Sequence, residues 1–218
     1  GCREAGCALV GGESAQMPGT YRPGDFDIAG FAVAAVEREE LIDGSAVREG
    51  DLLLGFASSG LHSNGFSLVQ AILDKKGIDP GGWYEAAGDG PLWKLLLEPT
   101  RIYVKALLPF LGGSSDGSGK SPVRGLVHGM AHITGGGLYE NVPRMLGPGL
   151  AAVIDSKRLD PPPVFSFLES LGIEREEMYR TFNMGTGFVA AVDPPAAEEI
   201  VEASGKRGFS ARVIGRVE

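Results

Sequence analysis

Cysteine is almost absent: among 218 residues only Cys2 and Cys7 carry thiols. Two are too few for a disulfide framework, and their C-x4-C spacing is neither a zinc knuckle nor a C-x-x-C redox pair. They are expected to be small buried thiols in a reducing, cytoplasmic setting. Long apolar runs are also missing. None approaches the roughly 18 residues of a membrane helix, which excludes a helical membrane span. The first residues lack the basic start and apolar core of a signal peptide. Positive charge is in deficit, with 20 Lys and Arg against 28 Asp and Glu and a net charge of −8. Counterion release needs a basic face, so the balance argues against a nucleic-acid polymer as a partner. A small phosphorylated ligand is not excluded, provided local donors, backbone N–H groups or a metal ion hold it.

What the chain has in excess is glycine. Its 34 Gly and 14 Pro fall just short of the roughly 25–30% at which composition signals disorder. They cluster between apolar runs and so mark tight or functional loops. The opening GCREAGCALVGGES reads as mid-domain sequence, which gives the expectation of a piece of a longer protein.

Strands and helices alternate. Residues 1–7 read as a helix end, Ala8–Val10 as a short strand and Asp25–Glu37 as a strand crossing a sheet. Leu52–Ala57 is fully apolar, as a strand buried on both faces would be. In FSLVQAILDKK, Phe66, Val69, Ile72 and Leu73 share a helical face. Pro99 is expected to open a helix through TRIYVKALLPFL, and 125–133, 151–155, 188–192 and 210–217 to be strands. Helices are expected over 138–146, 163–171, 174–179 and 194–203. The fold class is therefore α/β or α+β, a mixed sheet flanked by helices. A boundary near Arg38–Glu40 divides it into 1–38 and 39–218. The segment GGSSDGSGKSP (112–122) reads as an exposed linker. Its GKS imitates a phosphate-binding P-loop. Ser114 stands where that pattern needs Gly, and Pro122 where a helix should begin.

Four loops share one design, an apolar strand followed by small residues: VGGES (10–14), SSGLHSNG (58–65), HITGGGLYEN (132–141) and FNMGTG (182–187). Small residues let backbone N–H groups turn inward into an anion nest. The same loops also suit plain tight turns. His62 could bind phosphate or shuttle a proton, while Ser63 or Asn64 could cap the next helix. His132 ends a strand just before Thr134, whereas His128, inside that strand, reads as structural. Glu13 could hold a divalent cation or an ammonium-like group, or cap backbone N–H groups. Arg101 and Lys105, four apart, read as one exposed helix face, with phosphate or subunit contact as the alternative. Arg144 and Arg180 lie beside glycine loops and are better placed to meet a phosphate.

The stretches GGESAQMPGTY, LIDGS, SSGLHSNGFSLV, EPTRIYVK, HITGGGLYENVPR and MYRTFNMGTG occur in an order and spacing that resemble the phosphoribosylformylglycinamidine cyclo-ligase family over nearly the whole chain. The resemblance implies an ATP- and Mg2+-dependent closure of formylglycinamidine ribonucleotide to aminoimidazole ribonucleotide by a cytoplasmic homodimer. It implies that 1–38 is the tail of an N-terminal ATP-binding domain and 39–218 the C-terminal domain. The D-G-V-G-T-K-type loop of that family is not in this sequence. Ser14 and Gln16 depart from GGETAEMPG, so no metal is assigned to position 16 and the metal ligands stay open. By the same resemblance, His62, His132 and Glu13 are the catalytic candidates. Gly11, Gly12, Ser14, Ser59, Asn64, Thr134, Gly135, Gly136, Gly137, Asn141 and Arg144 are the candidates for substrate or phosphate binding. In the related selenophosphate synthetases an aspartate that binds metal stands at the position like His132, which implies that His132 faces phosphates. The alternatives are another ATP-dependent member of that superfamily, such as formylglycinamidine ribonucleotide synthetase, or a non-catalytic dimerisation or binding module.

Overall fold

Leu52–Ala57 forms β1, the middle strand of a five-stranded sheet. The computed structural model describes residues 1–111 and 125–218, so GGSSDGSGKSP and its GKS lie outside the described residues. The chain divides into two units, Gly1–Leu41 and Ile42–Glu218. The sheet belongs to the second. Its other strands are β2 Val127–His132, β3 Ala152–Ile154, β4 Thr186–Val192 and β5 Ala211–Val217. Their order is β2-β4-β1-β5-β3. The helix-flanked sheet is the architecture expected, with one correction. The sequence suggested a mixed sheet, yet each strand pairing is antiparallel. The reason lies in the connections: each pair of sheet neighbours is joined by a path that returns the chain in the opposite sense.

Alternation along the strands explains why β1 is apolar throughout. Leu53, Val189, Ala191 and Ile214 enter one core, and Leu54, Phe56, Ala190 and Val192 enter another on the opposite face. The first core is covered by helices α2 (Phe66–Lys76), α3 (Leu92–Leu96), α5 (Gly137–Asn141), α6 (Pro163–Ser170) and α7 (Arg175–Thr181). The second is covered by α4 (Val104–Leu107) and α8 (Ala197–Lys206). Helix α2 buries Val69, Ile72 and Leu73 as its spacing requires. It ends where Gly77, at φ 63°, donates to the Leu73 and Asp74 carbonyls. Two expectations shift. The helix expected from Pro99 begins only at Val104, and the expected helix at 138–146 becomes α5 followed by a 3-10 turn, Val142–Met145, that contains Pro143.

At the start of β1, Asp51 is fully buried, with Oδ2 2.7 Å from His128 Nδ1 and accepting the Arg48 N–H at 3.1 Å. His128 thus has the structural role read from its place within a strand.

In the first unit, α1 (Cys2–Ala5) is a single turn that buries no residue. Both cysteines are exposed, which corrects the expectation of buried thiols. The strands expected at Ala8–Val10 and Asp25–Glu37 do not form. Phe31 and Val33 are 96% and 99% exposed. A strand needs a second strand to take its N–H and C=O groups, and no described residue of this unit supplies that ladder.

Two glycines should respond oppositely to alanine. At Gly215 in β5 an added Cβ would collide with the Val153 carbonyl of β3, whereas at Gly205 in α8 it would meet nothing within 4 Å. Urea unfolding should show Gly215→Ala destabilised by about 1–3 kcal/mol and Gly205→Ala stabilised by about 0.5–1 kcal/mol. Equal midpoints for the two variants would contradict the packing of β3 on β5.

Candidate functional site

The antiparallel register brings three of the four glycine loops to one end of the sheet. β1 runs out at Ala57 opposite Thr186, and β2 runs out at His132 opposite Phe188. The loops 58–65, 133–137 and 182–187 therefore start or stop side by side. Asn183 joins two of them. Its Oδ1 accepts from Ser58 Oγ and from the Gly185 N–H, both at 2.9 Å, and its Nδ2 donates to the Gly60 carbonyl at 2.8 Å. The Ser58 N–H also donates to the Gly185 carbonyl at 2.9 Å, and the Ile133 N–H to the Gly187 carbonyl at 3.0 Å. Asn64 Oδ1 lies 3.8 Å from where a Gly135 Cβ would stand.

His62 sits at the centre of this junction, 3% exposed and in the left-handed region at φ 61°. Its Nε2 accepts the Ser59 N–H at 3.2 Å, and the Arg101 N–H lies 3.5 Å away. An accepting Nε2 puts the proton of the neutral ring on Nδ1, which is buried without a hydrogen-bond partner among the described residues. Burial first, then the charges of His132 and Arg101, push the His62 pKa down to about 4. Burial also lowers that of His132, whose side chain stands at the exposed end of β2. Both imidazoles are therefore neutral near pH 7.

The segment 99–103 explains why α4 starts late. Its polar groups bond to the His62 loop and not along a helix. Ser59 Oγ donates to the Pro99 carbonyl at 2.6 Å, Ser63 Oγ and Thr100 Oγ1 are 3.2 Å apart, and the Tyr103 hydroxyl donates to the Ala57 carbonyl at 3.0 Å. Neither Ser63 nor Asn64 caps α2, whose N-cap is Gly65 without a side-chain bond. Arg101 is accordingly not on a helix face with Lys105. It is partly buried beside His62, with Nη1 3.4 Å from the Ala57 carbonyl. A cavity of about 470 Å3, lined by Arg101, Tyr103, Leu107, Met130, His132 and Phe188, adjoins it. A larger cleft of about 830 Å3 lies between α5, α7 and β3 and contains none of the candidate residues.

The remaining candidates separate by position. Asn141 is buried and turned inward: Nδ2 donates to the carbonyls of Thr134, Gly135 and Gly137 at 3.3, 3.1 and 2.8 Å, and Oδ1 accepts from Thr134 Oγ1 at 3.2 Å. It shapes the TGGG bend. Gly136 and Gly137 have φ 91° and 56°, and a Cβ at Gly137 would strike the Tyr179 carbonyl of α7. Arg144 is exposed on the turn after α5 and makes no ion pair among the described residues. Arg180 pairs with Glu176 on the surface of α7 at 2.9 Å. Gly11, Gly12, Glu13 and Ser14 belong to the first unit and are exposed there. Two residues escaped the sequence reading, Tyr103 and Asn183, while Arg101 carried phosphate contact only as the alternative to an exposed helix face. Asn183 could have been found as the one amide in the FNMGTG loop.

Fold and site together define a helix-flanked antiparallel sheet with small-residue loops gathered at one end. The family model described as AIR synthase related protein, C-terminal domain, matches residues 48–218, and the chain belongs to that family. It is 46% identical over 218 residues to phosphoribosylformylglycinamidine cyclo-ligase of Clostridium kluyveri, a match that takes in 100% of this chain and 60% of the relative. The Clostridium novyi protein of the same name is 45% identical with the same coverage. The chain thus spans about 60% of the length of the curated relatives it matches. In fold it is similar to thiamine-monophosphate kinase from Stenotrophomonas maltophilia, with TM-score 0.53 at 14% identity over 84% of this chain and 52% of that one. No helix among the described residues is long and apolar enough to cross a membrane.

The His62 environment predicts a pH dependence. The unperturbed ring titrates near 6.5 and the folded one near 4, so between these values the unfolded chain binds more protons. Stability from the neutral ring is complete above about pH 6.5 and declines as pH falls towards about 4. The urea midpoint should drop over that range, and the drop should shrink in His62→Asn, which tolerates the left-handed backbone. An undiminished slope in the variant would contradict the burial of a neutral His62.

Proposed function

We propose that the chain supplies the C-terminal domain of an ATP-dependent cyclo-ligase, together with the end of its N-terminal ATP-binding domain over 1–38. The reaction closes formylglycinamidine ribonucleotide to aminoimidazole ribonucleotide. One observation carries the reading: three small-residue loops converge on His62 and His132 in a chain whose full length matches proteins named for that reaction. In the chemistry proposed, the formyl amide oxygen takes the γ-phosphoryl group of ATP and ADP departs. The neighbouring nitrogen then attacks that carbon, a C–N bond forms, the C–O bond breaks with release of phosphate, and a proton is lost.

His132, neutral near pH 7 at the exposed end of β2, is suited to receive that proton. Arg101 offers a fixed positive charge to a phosphate, with the N–H groups of Asn64 and the TGGG bend as neutral donors. His62, enclosed behind them, holds the loop. Glu13, with Gly11, Gly12 and Ser14, is assigned to the same reaction from the first unit. Bound Mg2+ would neutralise the ATP phosphates. Among the described residues no group of three or more His, Cys, Asp or Glu side chains is arranged to hold a metal ion, so no step is assigned to it. The homodimer and the cytoplasmic setting belong to the same proposal.

Calorimetry of the chain with the ribonucleotide, and an assay of ADP release with a panel of acceptors by the chain joined to a complete N-terminal ATP-binding domain, test the reading. The ribonucleotide should bind, and Arg101→Gln should weaken binding about tenfold or more. His132→Asn should lower turnover by about 10²–10⁴-fold. Release of ADP with thiamine monophosphate or selenide, and none with formylglycinamidine ribonucleotide, would overturn it.

A further inference from the structure

Between the two imidazoles lies a side chain that belongs to neither loop. Tyr103 immediately precedes α4 and is 5% exposed. Its ring centroid is 6.3 Å from that of His62 and 6.3 Å from that of His132, with interplanar angles of 56° and 65°. Phe188 completes the group, 5.5 Å from Tyr103 and stacked on His132 at 6.1 Å and 26°. The Tyr103 hydroxyl is fixed by the Ala57 carbonyl, where β1 ends. The backbone of Gly187 closes the other side. A Cβ there would fall on the Tyr103 hydroxyl and within 2.5 Å of His62 Cε1. Glycine is therefore the residue that lets ring, imidazole and β4 come this close.

The two histidines depend on this ring unequally. His62 has a backbone anchor at Ser59. The His132 side chain makes no hydrogen bond among the described residues, and its ring contacts are with Tyr103 and Phe188. Removing the aromatic wall would leave His132 free to turn about its side-chain torsions and would admit water beside His62. Among the described residues, the charged or titratable groups that face His62 are His132, Arg101 and Tyr103 itself.

We infer that Tyr103 is a positioning residue, a rigid spacer that sets the distance and orientation of His132 relative to His62 and keeps His62 in a dry, apolar setting. The hydroxyl is the minor part of this role, since it bonds a backbone carbonyl and not an imidazole. The ring is the major part. The inference rests on His132 contacting substrate, as proposed above, for its bearing on the reaction. Its geometric content stands without that.

Histidine titration followed by nuclear magnetic resonance reads it in the ligand-free chain. The sequence has three histidines, and His128, held by Asp51 at the other end of β2, reports on the fold. In Tyr103→Leu the His62 titration should move up by about one unit or more as water reaches that ring, and the His132 titration should move up as well, while the His128 resonance stays in place. Tyr103→Phe should restore both titrations to those of the unaltered chain. Unmoved His62 and His132 titrations in Tyr103→Leu would overturn the inference. So would Tyr103→Phe behaving like Tyr103→Leu. Loss of the His128 resonance position in Tyr103→Leu would show a general structural role and overturn it too. Ribonucleotide calorimetry on the same variants separates the two proposals. Moved titrations in a chain that binds no ribonucleotide would contradict the proposed function and leave the spacer role standing.

Discussion

The arrangement at the loop end of the sheet depends on one buried carboxamide. Asn183 is 1% exposed, and both of its polar atoms are engaged with the backbone or hydroxyl of loops about 120 residues away. An amide taken out of water is costly unless its hydrogen bonds are made. Drawing the 58–65 loop away from the 182–187 loop would strand a donor and an acceptor together, so the two loops are held as one body. Met184, at φ 46°, and Gly185, whose absent Cβ makes room for Asp160 and Pro161, are the local strain and space that let Asn183 turn inward. The TGGG bend is tied to the same end through Ile133 and Gly187, and Asn141 braces it from within by the same chemistry.

Electrostatics at the two ends of the sheet differ in kind. At one end Asp51 is buried against His128 and Arg48, a carboxylate with partners, and this is structural. At the other, two imidazoles share an apolar wall with a single partly buried arginine, and the depressed pKa of His62 follows from burial and from positive neighbours. A chain with net charge −8 thus places a partly buried arginine beside His62, while the nearby TGGG bend has the Glu140 carboxylate against Gly136. In the proposed reaction, a neutral His132 near the fixed cation of Arg101 suits the handling of a proton beside a phosphoryl group, because the ring does not have to lose a charge first.

Much of the fold was legible because its signals are local. β1 is apolar throughout and is buried on both faces. α2 shows its buried face at helical spacing and its stop at Gly77. Strand polarity was not legible, since it depends on which strands become neighbours, and the alternation of helices and strands pointed to a mixed sheet. Asp25–Glu37 failed because strand-forming composition is no substitute for a partner strand. Within the site, the glycine loops and His62 and His132 stood out as residue types. Arg101 carried phosphate contact only as an alternative, and Tyr103 was not singled out. A helix reading of 99–110 put Arg101 on the surface, and nothing in the sequence told that Pro99 to Tyr103 would bond sideways to the 58–65 loop. Asn141 was read as a ligand contact. Its three donations to loop carbonyls depend on backbone positions that composition does not encode.

Amide hydrogen exchange tests most directly whether the loops form one rigid body. The N–H groups of Ser58 and Ile133 donate across the junction, to the Gly185 and Gly187 carbonyls, and the Gly185 N–H donates to Asn183 Oδ1 within its own loop. Their protection should match that of the β1 amides and should collapse together in Asn183→Ala while β1 stays protected. Exchange of these three at the rate of free loops in the unaltered chain would contradict a prebuilt junction around His62 and His132.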